Sequence, residues 1–279
     1  MNDASVPLVA ILTTLYSGDI ISFADIALCS IWEQTYPGDR IHVYLYVDGP
    51  IGLEHKALVE KWKPLVHRVI WGVENKGLAH GLNTLLHSVE NEEYLLRMDL
   101  DDISLPTRIE QQVHFMEGAP QIDLLGCNTY EINEAGSVVY ERSYPEVHDS
   151  IVDRLARCNP MLHPTYCIRA STWRRDAISY RSLYLNEDLG FLFDVTLKGW
   201  RLHNIQERLF QWRTGRGFFG RRKIRRSFVE LKVYLVGVWS IWRFSPRLLW
   251  PFARFASRLL PPPLARYMYR SDLRNRLLG

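Results

Sequence analysis

Cysteine is scarce in this 279-residue chain, which has only Cys29, Cys127, Cys158 and Cys167. None of them stands at metal-knuckle spacing, and four are too few for a disulfide scaffold, so they read as core thiols of a reducing compartment. The amino terminus, Met1-Asn2-Asp3, lacks the basic-then-apolar pattern of a secretory leader. Internal repeats and low-complexity segments are absent. No glycine-rich, basic phosphate loop follows the first apolar run, where Thr13-Thr14-Leu15-Tyr16-Ser17-Gly18 stands instead. Acidic residues almost vanish beyond position 215: residues 216–279 hold 15 of the 34 basic residues but only Glu230 and Asp272 of the 31 acidic ones. The longest uncharged run in that segment, Val233 to Trp242, has ten residues and is too short to cross a bilayer.

Apolar residues make up 47% of the chain, enough to build the core of one large α/β domain or two small ones. Residues 7–15 and 42–47 read as buried strands, and a third lies near 66–71. Helical spacing falls between them, over 20–34 and about 54–64, and Pro37 stops the first helix. Strands alternating with helices predict βαβ units and a mostly parallel sheet. Thr14, Asp48, Asn75 and Asp99 then fall at strand ends on one edge, where such sheets gather nucleotides. The sharpest signal is Tyr94-Leu95-Leu96-Arg97-Met98-Asp99-Leu100-Asp101-Asp102, a short apolar run that stops at three carboxylates. Asp99 and Asp101 project to one side of an extended chain and can hold a hard cation. The same residues also read as a capping turn, since Asp102 before Leu105-Pro106 suits a helix start.

Several pieces, in order, resemble the inverting family 2 glycosyltransferases of the GT-A fold. They are Ser30-Ile31-Trp32-Glu33-Gln34-Thr35-Tyr36-Pro37, Val47-Asp48-Gly49, Asn75-Lys76-Gly77 with Asn83, and Met98 to Ile103 with Pro106, Arg108 and Gln111. Asn159-Pro160-Met161-Leu162-His163-Pro164-Thr165, Glu187-Asp188 and Phe210-Gln211-Trp212-Arg213 follow. The likeness spans about 7–226 and is nearest to the amylovoran and exopolysaccharide branch. There Asp48-Gly49-Pro50 replaces a commoner Asp-Asp-Gly-Ser, a departure that bears on which nucleotide is bound.

The resemblance implies an α/β GT-A domain over 1–215, with a nucleotide-sugar half (about 1–115) and an acceptor half (116–215). It implies that Thr14 and Tyr16 bracket the base and that Asp48 accepts from a uracil imide. Asn75, Lys76 and Gly77 approach the nucleotide, and Asp99 meets the ribose-sugar side. Asp101, with Asp99, holds Mg²⁺ or Mn²⁺. Asp102, His163 and Arg213 complete the nucleotide-sugar set. Asp188 is then the base that deprotonates an acceptor hydroxyl, with Glu187 beside it. Each has a plainer reading: a turn aspartate before Gly49, a structural histidine, or acidic residues in a first helical turn.

Residues 216–279 form a basic helical tail in which Arg221-Arg222-Lys223-Ile224-Arg225-Arg226 precedes Trp- and Phe-rich turns. That composition suits an anionic membrane surface. It also suits a basic lid packed on the body or an oligomer contact, and no recognition motif points to nucleic acid. The expected activity is metal-dependent, inverting transfer of a hexose from a nucleoside diphosphate sugar, a UDP-sugar first among candidates. The expected acceptor is a hydroxyl of a lipid-linked saccharide, met at the cytoplasmic face of the inner membrane by a peripheral enzyme. Alternatives are a sugar nucleotidyltransferase, for which the missing phosphate loop counts against, and a non-catalytic nucleotide-sugar-binding or scaffold protein.

Overall fold

The computed structural model describes residues 6–214 and 224–259. Among them nine strands form one sheet in the order β3-β2-β1-β4-β8-β6-β9-β5, with β7 on β6. The first half comprises β1 (Val9–Leu15), β2 (Ile41–Val47), β3 (Arg68–Trp71) and β4 (Tyr94–Arg97), all parallel. Helices α1 (Ile21–Trp32), α2 (Leu53–Trp62) and α3 (Leu78–Leu86) connect them. The pairs Leu15↔Val47, Val47↔Trp71 and Leu12↔Arg97 bring all four carboxyl ends to one edge, as the punctuation of the sequence predicts.

Beyond β4 the sheet changes character. β8 (Cys167–Arg169) pairs antiparallel with both β4 and β6 (Leu124–Ile132). β9 (Leu202–Arg213) runs parallel to β6, while β5 (Ile103–Ser104) and β7 (Val138–Arg142) are antiparallel additions. Helices α4 (Arg108–Gly118), α5 (His148–Leu155), α6 (Ala170–Asp176) and α7 (Glu187–Leu197) complete this half.

Strand side chains alternate between the two faces, so one sheet carries two cores. Val9, Ile11, Val43 and Leu45 pack with α1, α2 and α4, whereas Ala10, Leu12, Tyr44 and Tyr46 pack with α3 and α5 to α7. The second core also takes Val233, Tyr234 and Val238 from α8 (Ile224–Trp242). Gly237 permits that contact, because a Cβ there would lie 2.4 Å from the Phe193 ring of α7. A further helix, α9 (Leu249–Arg258), folds back on α8. Its Arg254 and Arg258 reach Glu230 of α8 at 2.8 and 2.9 Å. Burial opposes ionisation of Glu230, but the two guanidinium groups outweigh it and hold the carboxyl down at about 2. The basic run Arg221-Arg222-Lys223, the side chain of Arg225 and residues 260–279 lie outside the described residues, as does Met1-Asn2-Asp3.

Candidate active site

The acidic run is a turn rather than a strand extension. β4 ends at Arg97, and the amide of Asp102 donates to the Asp99 carbonyl at 3.4 Å. The chain has to reverse here because Ile103 pairs antiparallel with Gln211 on β9. The turn, not a shared face of extended chain, therefore brings one carboxylate oxygen each of Asp99, Asp101 and Asp102 within 4.8 Å of one another. The helix comes later, at Arg108.

Two arginines fix this turn. Buried Arg97 pairs with Asp99 from the end of β4. Arg213 works on the backbone: its amide donates to Asp102 Oδ1 at 2.8 Å, and its Nε donates to the Asp101 carbonyl at 2.8 Å. Its Nη1 holds the carbonyls of Asn133 and Glu134 at 3.0 and 3.1 Å, and its guanidinium lies 4.1 Å over the Phe23 ring. Burial pushes the Asp102 carboxyl well above the usual range, helped by Asp101 and Asp99 and opposed by the Arg213 amide. Asp102 Oδ2 is buried with no hydrogen-bond partner. Three oxygen donors, one with an orphaned buried atom, fit a hard divalent cation such as Mg²⁺ or Mn²⁺. Asp19, in the turn after β1, lies outside that group but feels its charge, and its Oδ2 accepts from the Tyr16 amide at 2.8 Å. It is pushed up to about 7, mainly by burial, with the Tyr16 amide opposing and Asp101 and Asp99 adding.

A second cluster lies after β2. Asp48 accepts from the amides of Lys76 (2.8 Å) and Gly77 (2.9 Å), one on each oxygen, and Asn75 Nδ2 donates back to the Asp48 carbonyl at 3.3 Å. The aspartate thus shapes the loop that leads into α3. Gly49 permits the approach: its φ is +84°, and a Cβ would stand 2.4 Å from the Asn75 nitrogen. Gly49→Ala is expected to cost about 2 kcal/mol or more, from the left-handed backbone and the clash with main chain. Thermal unfolding and the donor KM would both register it. Lys76 reaches Glu74 at 3.3 Å. Thr14 lies at the end of β1 beside Gly81 of α3, and Tyr16 is half exposed, its ring against Gly18.

The third cluster opens α7. Asp188 Oδ2 accepts from Asn159 Nδ2 at 2.7 Å, and Glu187 Oε1 accepts from the Leu185 amide at 3.2 Å. Burial raises the Asp188 carboxyl above its ordinary value. The Leu189 amide, Arg226 and Asn159 oppose that rise, and Glu230 adds to it. Glu187 is also raised, again mainly by burial. His163 is buried, with Nε2 2.9 Å from the Tyr180 hydroxyl, and burial together with Arg97 holds it well below its ordinary value, so it is neutral. Asn83 of α3 clasps the Tyr180 main chain, accepting from its amide at 2.7 Å and donating to its carbonyl at 2.8 Å.

Tyr180 links the halves. Burial raises its hydroxyl, Arg97 opposes the rise, and both Asp188 and Asp99 act on it electrostatically. The structure therefore gathers Asp99, Asp101 and Asp102 in one turn braced by Arg213, Asp48, Asn75, Lys76 and Gly77 in a second cluster, and Glu187 and Asp188 at the start of α7. Sequence reading assigns no role to Asp19, Arg97, Asn159 or Tyr180. Of these, Asn159 and Arg97 lie inside quoted motifs and were within reach.

Residues 21–178 match the glycosyl transferase family 2 domain, and the chain belongs to that family. It is 27% identical over 271 residues to the amylovoran biosynthesis glycosyltransferase AmsE of Erwinia amylovora, covering 94% of this chain and 98% of AmsE. It is 32% identical over 146 residues to the O-antigen biosynthesis glycosyltransferase WbnJ of Escherichia coli, covering 51% of this chain and 55% of WbnJ. The fold is that of S. aureus TarS (residues 1–349, solved with UDP-GlcNAc), at a TM-score of 0.65 and 18% identity over 95% of this chain and 74% of that one. A mannosyltransferase of Pyrobaculum calidifontis, solved with GDP-Man and Mn²⁺, superposes at a TM-score of 0.58, with 17% identity over 98% and 81%. The α/β, GT-A character expected from the sequence is thus the character of the fold.

Proposed function

We propose that the protein transfers a hexose from a UDP-sugar, with inversion, to a hydroxyl of a lipid-linked saccharide during cell-surface polysaccharide synthesis. The observation that supports this reading best is the three-carboxylate turn with its buried, unpartnered Asp102 oxygen, in the same fold as a partly buried Asp188 held by Asn159. In a single displacement the acceptor oxygen bonds to the anomeric carbon as the bond to the β-phosphate oxygen breaks, and Asp188 takes the hydroxyl proton. Asn159 holds one Asp188 oxygen and so orients the other. Asp48 and the Asn75–Gly77 loop seat the base and ribose, and Arg213 keeps the acidic turn in shape. Asp101 and Asp99 would hold Mg²⁺ or Mn²⁺, which supplies neutralising charge to the departing diphosphate. AmsE and WbnJ, named for amylovoran and O-antigen biosynthesis, support a role in polysaccharide synthesis, and UDP-GlcNAc in TarS supports the donor. Screening UDP- and GDP-sugars for donor hydrolysis with Mn²⁺ present tests the reading; no turnover with any of them would sink it.

The same reading places the enzyme at the cytoplasmic face of the inner membrane, as a peripheral protein. No helix among the described residues is long and apolar enough to cross a membrane. α8, α9 and their connection expose Trp239, Phe244, Leu249 and Phe252, with Phe244 90% exposed. Several tail cations are already paired: Arg247 with Asp153 of the body at 2.6 Å, and Arg254 and Arg258 with Glu230 of the tail itself. Fewer cations therefore face lipid than the composition suggests, each worth about 1 kcal/mol at an anionic surface. The full chain is expected to co-sediment with anionic liposomes and to be only partly released by high salt. Phe244→Ser with Leu249→Ser should abolish most of that binding. Unchanged sedimentation of the double variant would remove the interfacial role.

A further inference from the structure

The first turns of α8 reach the turn that precedes the candidate base. Arg226 donates from Nη2 to the Leu185 carbonyl at 3.1 Å. Leu185 adopts φ +59°, a conformation that leucine holds only where its surroundings impose it. Its own amide donates to Glu187 Oε1, and the next residue, buried Asn186, closes the turn through the Leu183 carbonyl at 2.7 Å and the Tyr184 carbonyl at 2.9 Å. α7 starts immediately afterwards, carrying Glu187 and Asp188. One turn further along α8, Glu230 is occupied by Arg254 and Arg258 of α9. The C-terminal helices thus bring a cation to the carboxylate pair and neutralise their own acidic residue.

Building on the glycosyl-transfer reading above, we propose that Arg226 is a positioning residue of the acceptor site. From α8 it locks the Leu185 turn and presents a guanidinium to the Glu187–Asp188 pair, which makes the C-terminal helices a working part of the catalytic centre. Among the described residues, Glu187 is the neighbour of Asp188, Asn159 and the Leu189 amide donate to it, Tyr166 and Tyr180 feel its charge, and Arg226 and Glu230 act on it electrostatically from α8. Burial favours the protonated carboxyl and Arg226 opposes this, so removing the guanidinium raises the pH at which Asp188 becomes a base.

The test uses the full chain and UDP as the binding probe. Arg226→Gln should keep UDP affinity within about twofold, lower kcat at neutral pH about tenfold or more and move the acidic limb of the kcat–pH profile upward. Arg226→Lys should restore most of both. An unmoved limb, or a lysine variant as impaired as the glutamine one, overturns the proposal. Lost turnover that comes with lost UDP binding and a lowered melting temperature indicates a purely structural role and overturns it equally. Absence of turnover in the unsubstituted chain instead rejects the glycosyl-transfer reading on which the proposal rests.

Discussion

Asp188→Asn is expected to lower turnover about a hundredfold or more while nucleotide affinity holds. The substitution keeps the shape of the side chain, and the Asn159 amide can still donate to its carbonyl oxygen, so the α7 entrance stays folded. It removes only the ability to take a proton. In the unsubstituted chain, burial raises the Asp188 carboxyl. The acidic limb of kcat should therefore lie above the ordinary aspartate range, with turnover falling as pH drops through the raised value. The Asp188→Asn variant should lose that limb. Glu187→Gln is the control: its oxygen already accepts from the Leu185 amide, a bond the amide side chain can keep. A crippled Glu187→Gln beside a healthy Asp188→Asn would exchange the roles of the pair.

Asp101→Ala should be comparably severe, losing about 100- to 1,000-fold in turnover, the scale of removing a group that neutralises developing charge. Three carboxylates share one turn, and burial already drives Asp102 towards its protonated form. Asp101 is exposed and Asp99 partly so, whereas Asp102 is buried. Turnover of the unsubstituted chain should be lost in excess chelator and recovered with Mg²⁺ or Mn²⁺. Full activity in chelator would falsify the metal role and leave the fold and the Asp188 argument standing.

The parallel half was legible because each of its strands ends in a polar punctuation that a buried strand cannot continue. Thr14, Asp48, Asn75 and Asp99 could be placed on one edge from the order of residues alone. The acidic residues were legible as a cluster but not as a turn, since the turn is dictated by β5 pairing with β9 more than a hundred residues later. Motif residues that look chemical prove to be carpentry. Gln34 and Thr35 bind the segment leaving the acidic turn, through the Leu105 carbonyl at 2.9 Å and the Pro106 carbonyl at 2.8 Å. Arg108 holds the carbonyls of Arg97 and Pro164 at 2.8 and 2.9 Å. Asn159 and Arg226 act on Asp188 across 29 and 38 positions of sequence, and no local spacing rule reaches that far. The tail's composition pointed to charge; the ion pairs that consume several of its cations depend on where α8 and α9 pack.

The bond from the Arg213 amide to Asp102 spans 111 positions. Synthesis runs from the amino terminus, and domains assemble as their segments emerge. The four parallel strands and their helices are complete once Arg97 has left the ribosome, well before the strand that shapes the acidic turn exists. A nascent chain therefore has its parallel edge complete long before β9 can shape the acidic turn, and the Leu185 turn lacks the Arg226 bond until α8 has been made. Chains cut short before β9 would therefore carry the parallel half of the sheet without the partner strand that shapes the acidic turn.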